Sequence, residues 1–210
     1  MSARTLRNVS SGLVAQIWTG GLGLLALPIV ARGLGAERYG LLALNLALIN
    51  FAAVADLGVG RAASKYLAED FERQEGIRAE AFVQTALSVT LVMGLLGALT
   101  LVATTPLFVR YVFRIPAELR TEAVVAFWIT SSGLPAVLLR ILFDGVIASQ
   151  HRIAILSLGN VAASTLRLGL TVAAVLIRHS LLGVLLANVI VTYLHAAGLG
   201  WYTARCLGRP

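Results

Sequence analysis

The feature that most constrains this chain is its succession of long apolar runs. No charged residue interrupts Leu13 to Ala31 or Ala81 to Val109, and Leu181 to Ala204 carries no Asp, Glu, Lys or Arg and a single histidine, His195. A segment that crosses a bilayer as a helix needs about 20 mostly apolar residues. It must also satisfy its own backbone hydrogen bonds, which leaves helices and closed barrels as the options. Barrel strands would read as alternating segments of about ten residues, whereas these runs are continuous and rich in Leu, Ala, Val and Gly. Composition agrees: 13% of residues are charged, against about 25% in a soluble domain, and the mean hydropathy is +0.85. The expected class is an all-α integral membrane protein.

Six spans are expected, as one bundle over residues 1–210: about Ser11 to Ala31, Gly40 to Gly60, Ala81 to Thr104, Ala123 to Ala148, Ile153 to Ile177 and Leu181 to Tyr202. The stretch LGAERYG, Leu34 to Gly40, interrupts the first two. Its glycines permit a tight turn and Glu37 with Arg38 would hold that turn in water, so it is expected to be a solvated hairpin without a substrate role. Pro28 and Pro135 are expected to kink their helices. Gln16, Gly20 and Gly23 share a face of the first span, where the glycines would allow close helix packing.

The net charge of +7 does not point to nucleic acid, because the arginines sit mostly at the ends of apolar runs and are not clustered with aromatics on one stretch. Arg4, Arg7, Arg61, Lys65, Arg73, Arg78, Arg152, Arg205 and Arg209 fall on one side, and that side outweighs the other. By the positive-inside rule this side is cytoplasmic, with both termini on it. The segment 61–79 is expected to be amphipathic at that interface, with Tyr66, Leu67 and Phe71 at helical spacing and Glu69 paired to Arg73; a helical extension of the second span is the other reading. The basic start and first run resemble a signal peptide, but the run is longer than an h-region and is read as a retained span. Cys206 is the single cysteine, so no internal disulfide forms.

Polar groups inside spans are costly and are functional candidates by default. Asn160, Ser164, Arg167 and Thr171 fall at i, i+4, i+7 and i+11 on the fifth span. A guanidinium there suits a phosphate, since its fork donates two parallel hydrogen bonds; pairing with a carboxylate on a neighbouring helix is the structural reading. Asn45, Ala52 and Asp56 share a face of the second span, with Asn50 pointing elsewhere. Asp56 either accepts a coupling proton or pairs with an arginine. Arg140 and Asp144, at i,i+4, form a local pair or a gate at the cytoplasmic mouth. Asn188, Thr192 and His195 form a stripe on the sixth span, and His195 is either a proton-coupling group or an interfacial one. There is no G-x-S-x-G, P-loop or H-E-x-x-H, and the three histidines lack metal-ligand spacing. No enzyme activity, cofactor or metal is expected.

The block LPIVARGLGAERYGLLALNLALINFAAVADLGVGRAASKYLAE resembles the start of the bacterial polysaccharide flippases, the O-antigen or Wzx-type branch of the multidrug/oligosaccharidyl-lipid/polysaccharide exporter superfamily. The shared features are Asn8 before the first span, Pro28 late in it, the R-x-LG-x-x-x-YG run from Arg32 to Gly40, and the DLG of Asp56 to Gly58. The opening of the sixth span, Gly183 to Leu185, is consistent with the same pattern.

The resemblance implies a six-helix lobe of a MATE-like flippase. It also implies flipping of a lipid-linked oligosaccharide, usually on undecaprenyl pyrophosphate, across the bacterial inner membrane for surface polysaccharide such as the O-antigen of lipopolysaccharide. Family members have about twice as many spans, related by a pseudo-twofold axis. A second six-helix lobe is therefore an expected partner, within a longer product or as a second copy. Two other functions stand beside this one: an ion-coupled multidrug exporter lobe, which would favour acidic groups in its cavity, and a truncated, non-transporting scaffold or remnant.

Overall fold

The computed structural model describes residues 3–54, 76–150 and 152–207, and the side chains of 12–50, 82–150 and 152–205. It is helical almost throughout. Helix α1 is Ala3–Val54 and α2 is Gly76–Leu107. A π-helical turn at Phe108–Val112 and a 3-10 turn at Ala117–Leu119 lead into α3, Arg120–Ser132. Then come α4, Leu134–Ser149, α5, Ile153–Arg178, and α6, Leu181–Leu207.

Six separate spanning helices are not what forms. Among the described residues five helical stretches are long and apolar enough to cross a membrane: Gly12–Asn50, Phe82–Val112, Ala117–Ser149, Ile153–Arg178 and Leu181–Arg205. The difference lies in α1. Its 52 residues run on through LGAERYG, and the expected loop shrinks to one residue, Gly35, at φ 78° and ψ 166°. That backbone region is open essentially to glycine alone. A straight helix over Gly12–Asn50 would be about 58 Å long at 1.5 Å per residue, about twice the hydrocarbon thickness. The bend at Gly35 lets Gly12 and Asn50 line one cavity instead. Arg38 is not merely solvated: its Nε donates to Glu122 at 3.1 Å and ties the bend to α3.

The expected kink at Pro135 is present. The chain breaks between α3 and α4 at Gly133, and Pro135 sits in the first turn of α4, where its missing N–H leaves no bond unmade. Gly94 of α2 is the close-approach point: a Cβ there would lie 2.7 Å from the Pro135 Cα. Gly20 and Gly23, by contrast, have open space around them, so the close packing expected there does not occur.

The outside of the bundle is apolar as well as its interior, and some polar side chains are buried. Large apolar side chains such as Ile17, Leu24, Leu158 and Ile177 face outward, while Asn45, Thr90 and Ser131 are fully buried. This is the pattern of a multi-pass membrane protein, whose solvent is lipid. Helix α1 packs on α5, α5 on α6, α6 on α4, and α4 on α2. An apolar plug at the Gly35 end joins Val30, Leu34, Phe127, Val175 and Leu181. Smaller clusters around Leu142, Val146, Phe143 and Leu199 close the opposite end of α4. The space between them is the candidate site. Asp56 and residues 61–75 of the expected amphipathic segment lie outside the described residues, and residues 76–79 open α2.

Candidate functional site

A cavity of about 690 Å³ opens between α1, the α3–α4 break, α5 and α6. Helix α5 contributes Ser157, Asn160, Ser164 and Arg167, one stripe at helical spacing. Helix α6 contributes Asn188, Thr192 and His195, and α4 contributes Arg140. From α1 come Gln16 and Thr19 on one limb and Asn50 on the other. Trp18 holds α1 against α5, its indole N–H donating to Thr165 Oγ1 at 3.0 Å.

Among the described residues the charged side chains of this wall are cationic, and no carboxylate lines it. Arg167 donates through Nη2 to Thr192 Oγ1 at 3.4 Å, and its buried Nε has no partner among the described residues. Thr192 is itself anchored, donating to the Asn188 carbonyl at 2.8 Å, and the Asn188 amide donates to the Val184 carbonyl at 2.8 Å. The stripe on α6 is therefore braced against its own helix, which leaves the Arg167 guanidinium as the group with donors to spare. Arg140 is differently placed. Its Nη1 donates to Asp144 Oδ2 at 2.7 Å, and Asp144 Oδ1 is buried without a partner among the described residues.

A second cavity, about 430 Å³, continues toward the Gly35 end. Its wall is mostly apolar, with Leu22, Leu27, Val30, Leu42 and Leu168, and it holds Thr171. Both cavities share Thr19, Leu46, Ser164, Arg167 and Asn188. Arg167 thus stands at the neck between a polar chamber and an apolar one.

The sequence-derived candidates divide accordingly. Arg167, Asn160, Ser164, Arg140 and Asn188 converge on the larger cavity, and Thr171 on the smaller. Asp144 does not line either cavity and stands behind Arg140 as its ion-pair partner. Asn45 is a correction: it is fully buried, takes a hydrogen bond from Thr130 at 2.8 Å and donates to the Leu41 carbonyl. Asn50, expected to point away, lines the cavity in its stead. Ser157, not among the expected site residues, extends the α5 stripe by one turn, and Thr19 stands beside Gln16 on the first limb of α1. Thr130 is legible only from packing. Among the described residues no three His, Cys, Asp or Glu side chains converge to hold a metal.

Comparison with known proteins supplies the remaining findings. A family model described as polysaccharide biosynthesis protein matches residues 5–210. A multidrug-resistance MATE family transporter of the MOP superfamily, solved outward-facing, superposes with a TM-score of 0.76 at 16% identity, over 93% of this chain and 44% of that one. A MATE transporter in complex with MaL6 superposes with a TM-score of 0.79 at 13% identity, over 99% of this chain and 48% of that one. A MOP superfamily transporter from Pyrococcus furiosus, described as having a binding pocket of reversed polarity, gives 0.74 at 16% identity, over 93% and 44%. The fold is therefore the one found in MOP superfamily transporters, and the chain spans less than half the length of these structures. A search of curated proteins finds no match.

Proposed function

The chain belongs to the polysaccharide biosynthesis protein family, and from that premise we propose that it takes part in flipping a lipid-linked oligosaccharide across the bacterial cytoplasmic membrane. The carrier is a prenyl pyrophosphate of the undecaprenyl type, and the product feeds surface polysaccharide such as the O-antigen. Both termini lie on the cytoplasmic side, and a second lobe of like fold completes the transport path.

One observation carries this reading: Arg167 at the neck between the two cavities. The substrate is an amphiphile whose pyrophosphate joins a glycan to a hydrocarbon chain. A polar chamber suits the glycan, an apolar one suits the start of the prenyl chain, and a guanidinium between them suits the pyrophosphate. The hydroxyls and amides of Ser157, Asn160 and Gln16 offer the mixed donors and acceptors that sugar hydroxyls require. The charge of the wall also bears on the nearest alternative. An exporter of cationic drugs would be served by carboxylates, and the described residues of this wall have none.

The test is the fate of the substrate in a strain that depends on this gene. Loss of the protein should deplete surface glycan and accumulate its prenyl-linked precursor, and Arg167→Gln should reproduce both effects at normal protein level. Unchanged glycan without precursor accumulation would sink the reading. Loss of resistance to a cationic dye in the same strain would support the multidrug exporter.

A further inference from the structure

One residue on the wall of the smaller cavity has no structural reason to be what it is. Gly23 of α1 lines that chamber beside Leu22 and Leu27. A glycine inside a helix costs about 1 kcal/mol against alanine. The usual reasons for one are a positive φ or a close backbone approach. Neither applies: Gly35 is the one described glycine at positive φ, and a Cβ at Gly23 would meet nothing within 4 Å. What glycine leaves here is room. Gly23 and Leu27 are both exposed, so the chamber is open along this side of α1. A chain too long for its 430 Å³ can run out past Gly23.

The rest of the chamber is closed by hydrocarbon. Val30 and Leu42 come from the two limbs of α1, Leu168 from α5 and Val184 from α6. Among the described residues Arg167, at the neck, is the one charged side chain on this wall. No carboxylate is present to take a ribose diol, as nucleotide sites use. Ribose hydroxyls and base amides buried against these side chains would lose their hydrogen bonds to water without replacement.

Two classes of sugar donor carry the same head. Prenyl-linked glycans and nucleoside diphosphate sugars both join a sugar to a pyrophosphate, and both would present it equally to Arg167 and the polar chamber. They differ in the group on the far phosphate, a branched hydrocarbon or a nucleoside. We propose that the apolar chamber is the element that tells them apart, and that Gly23 is its specificity-determining residue: the space over Gly23 admits the first isoprene units, and the walls reject a nucleoside. The proposal rests on the reading of Arg167 as the pyrophosphate seat. Pockets reject a ligand most strongly when it leaves polar groups unpaired.

The experiment is titration calorimetry of the full chain in mild detergent with three probes: geranyl pyrophosphate, inorganic pyrophosphate and UDP-glucose. Geranyl pyrophosphate should bind more tightly than either of the others. Gly23→Leu fills the space and should weaken geranyl pyrophosphate by about 10-fold, the lower end for steric change in an apolar pocket, while inorganic pyrophosphate binds as before. Gly21→Leu is the control. Gly21 lines neither cavity, a Cβ there also meets nothing within 4 Å, and it lies roughly 160° from Gly23 around the helix; neither pyrophosphate should respond to it. Both leucines favour the helix, so the fold is kept. Equal affinity for geranyl pyrophosphate and UDP-glucose, undiminished geranyl pyrophosphate binding in Gly23→Leu, or equal losses in the Gly23 and Gly21 variants overturns the proposal. Arg167→Gln distinguishes this failure from that of the underlying reading: it should weaken both pyrophosphates alike. If it weakens neither, the pyrophosphate seat falls and the proposal with it; if it weakens both while Gly23→Leu does nothing, the chamber alone loses its role.

Discussion

The Thr130 hydroxyl donates to the Asn45 side-chain oxygen at 2.8 Å, where Asn45 is wholly buried. This bond joins the returning limb of α1 to α3, just before the break at Gly133. Hydrogen bonds between membrane helices are worth ~0.6 kcal/mol on average and up to ~1.7. Asn45→Ala and Thr130→Val are each expected to lower stability by about 1 kcal/mol, and the double variant by less than their sum. Thermal unfolding in detergent measures all three. Strictly additive losses would show that the two side chains are not coupled.

Arg167→Gln is expected to weaken binding of a prenyl pyrophosphate by roughly 10- to 100-fold, the range for hydrogen bonds to charged groups. Arg167→Lys should fall between, since it keeps the charge and loses the fork. Arg38→Gln is the control. Its pair with Glu122 is exposed and worth at most about 1 kcal/mol, and binding should not change. Equal effects of the Arg167 and Arg38 variants would exclude Arg167 as the anion site.

The Arg140–Asp144 pair predicts opposite signs for its two members. Asp144→Asn releases the Arg140 guanidinium to the cavity and should tighten binding of inorganic pyrophosphate, while Arg140→Gln should weaken it. Both side chains are only partly exposed, at 30% and 28%, and Asp144 Oδ1 is buried without a partner among the described residues, so Arg140→Gln, which leaves the carboxylate unpaired, should cost more stability than Asp144→Asn. Titration calorimetry gives the sign directly. Parallel weakening in both variants would make the pair purely structural.

Three glycines should respond differently to alanine. Gly35→Ala places a side chain at φ 78°, ψ 166° and should cost ~1–3 kcal/mol in backbone strain. Gly94→Ala drives a methyl against the Pro135 Cα and should cost ~1–3 kcal/mol by overpacking α2 against α4. Gly23→Ala meets nothing within 4 Å and should be neutral or slightly stabilising in a helix. Melting temperatures of the three variants decide the order.

Much of this was legible in the chain. Apolar runs too long for any other use dictated membrane helices, because a bilayer offers the backbone no hydrogen-bond partners. The α5 stripe of Asn160, Ser164 and Arg167 was legible because spacing along one helix is local geometry. What remained undecided was how each helix is rotated about its own axis. Asn45 and Asn50 lie about 140° apart around the helix at 3.6 residues per turn, and either could face a cavity. The α1 sequence presents both and cannot choose. Packing chose: Thr130 of α3 captures Asn45, which turns Asn50 and Leu46 toward Arg167. Gln16 joins the same wall only because Gly35 folds the first limb of α1 back beside the second. The presence of membrane helices and the α5 stripe thus followed from the sequence by itself, since both depend on neighbours along one chain segment; the number of separate helices and the facing side of α1 did not. Which stripes meet, and around what space, was decided by tertiary structure, since it depends on contacts between segments far apart in the chain.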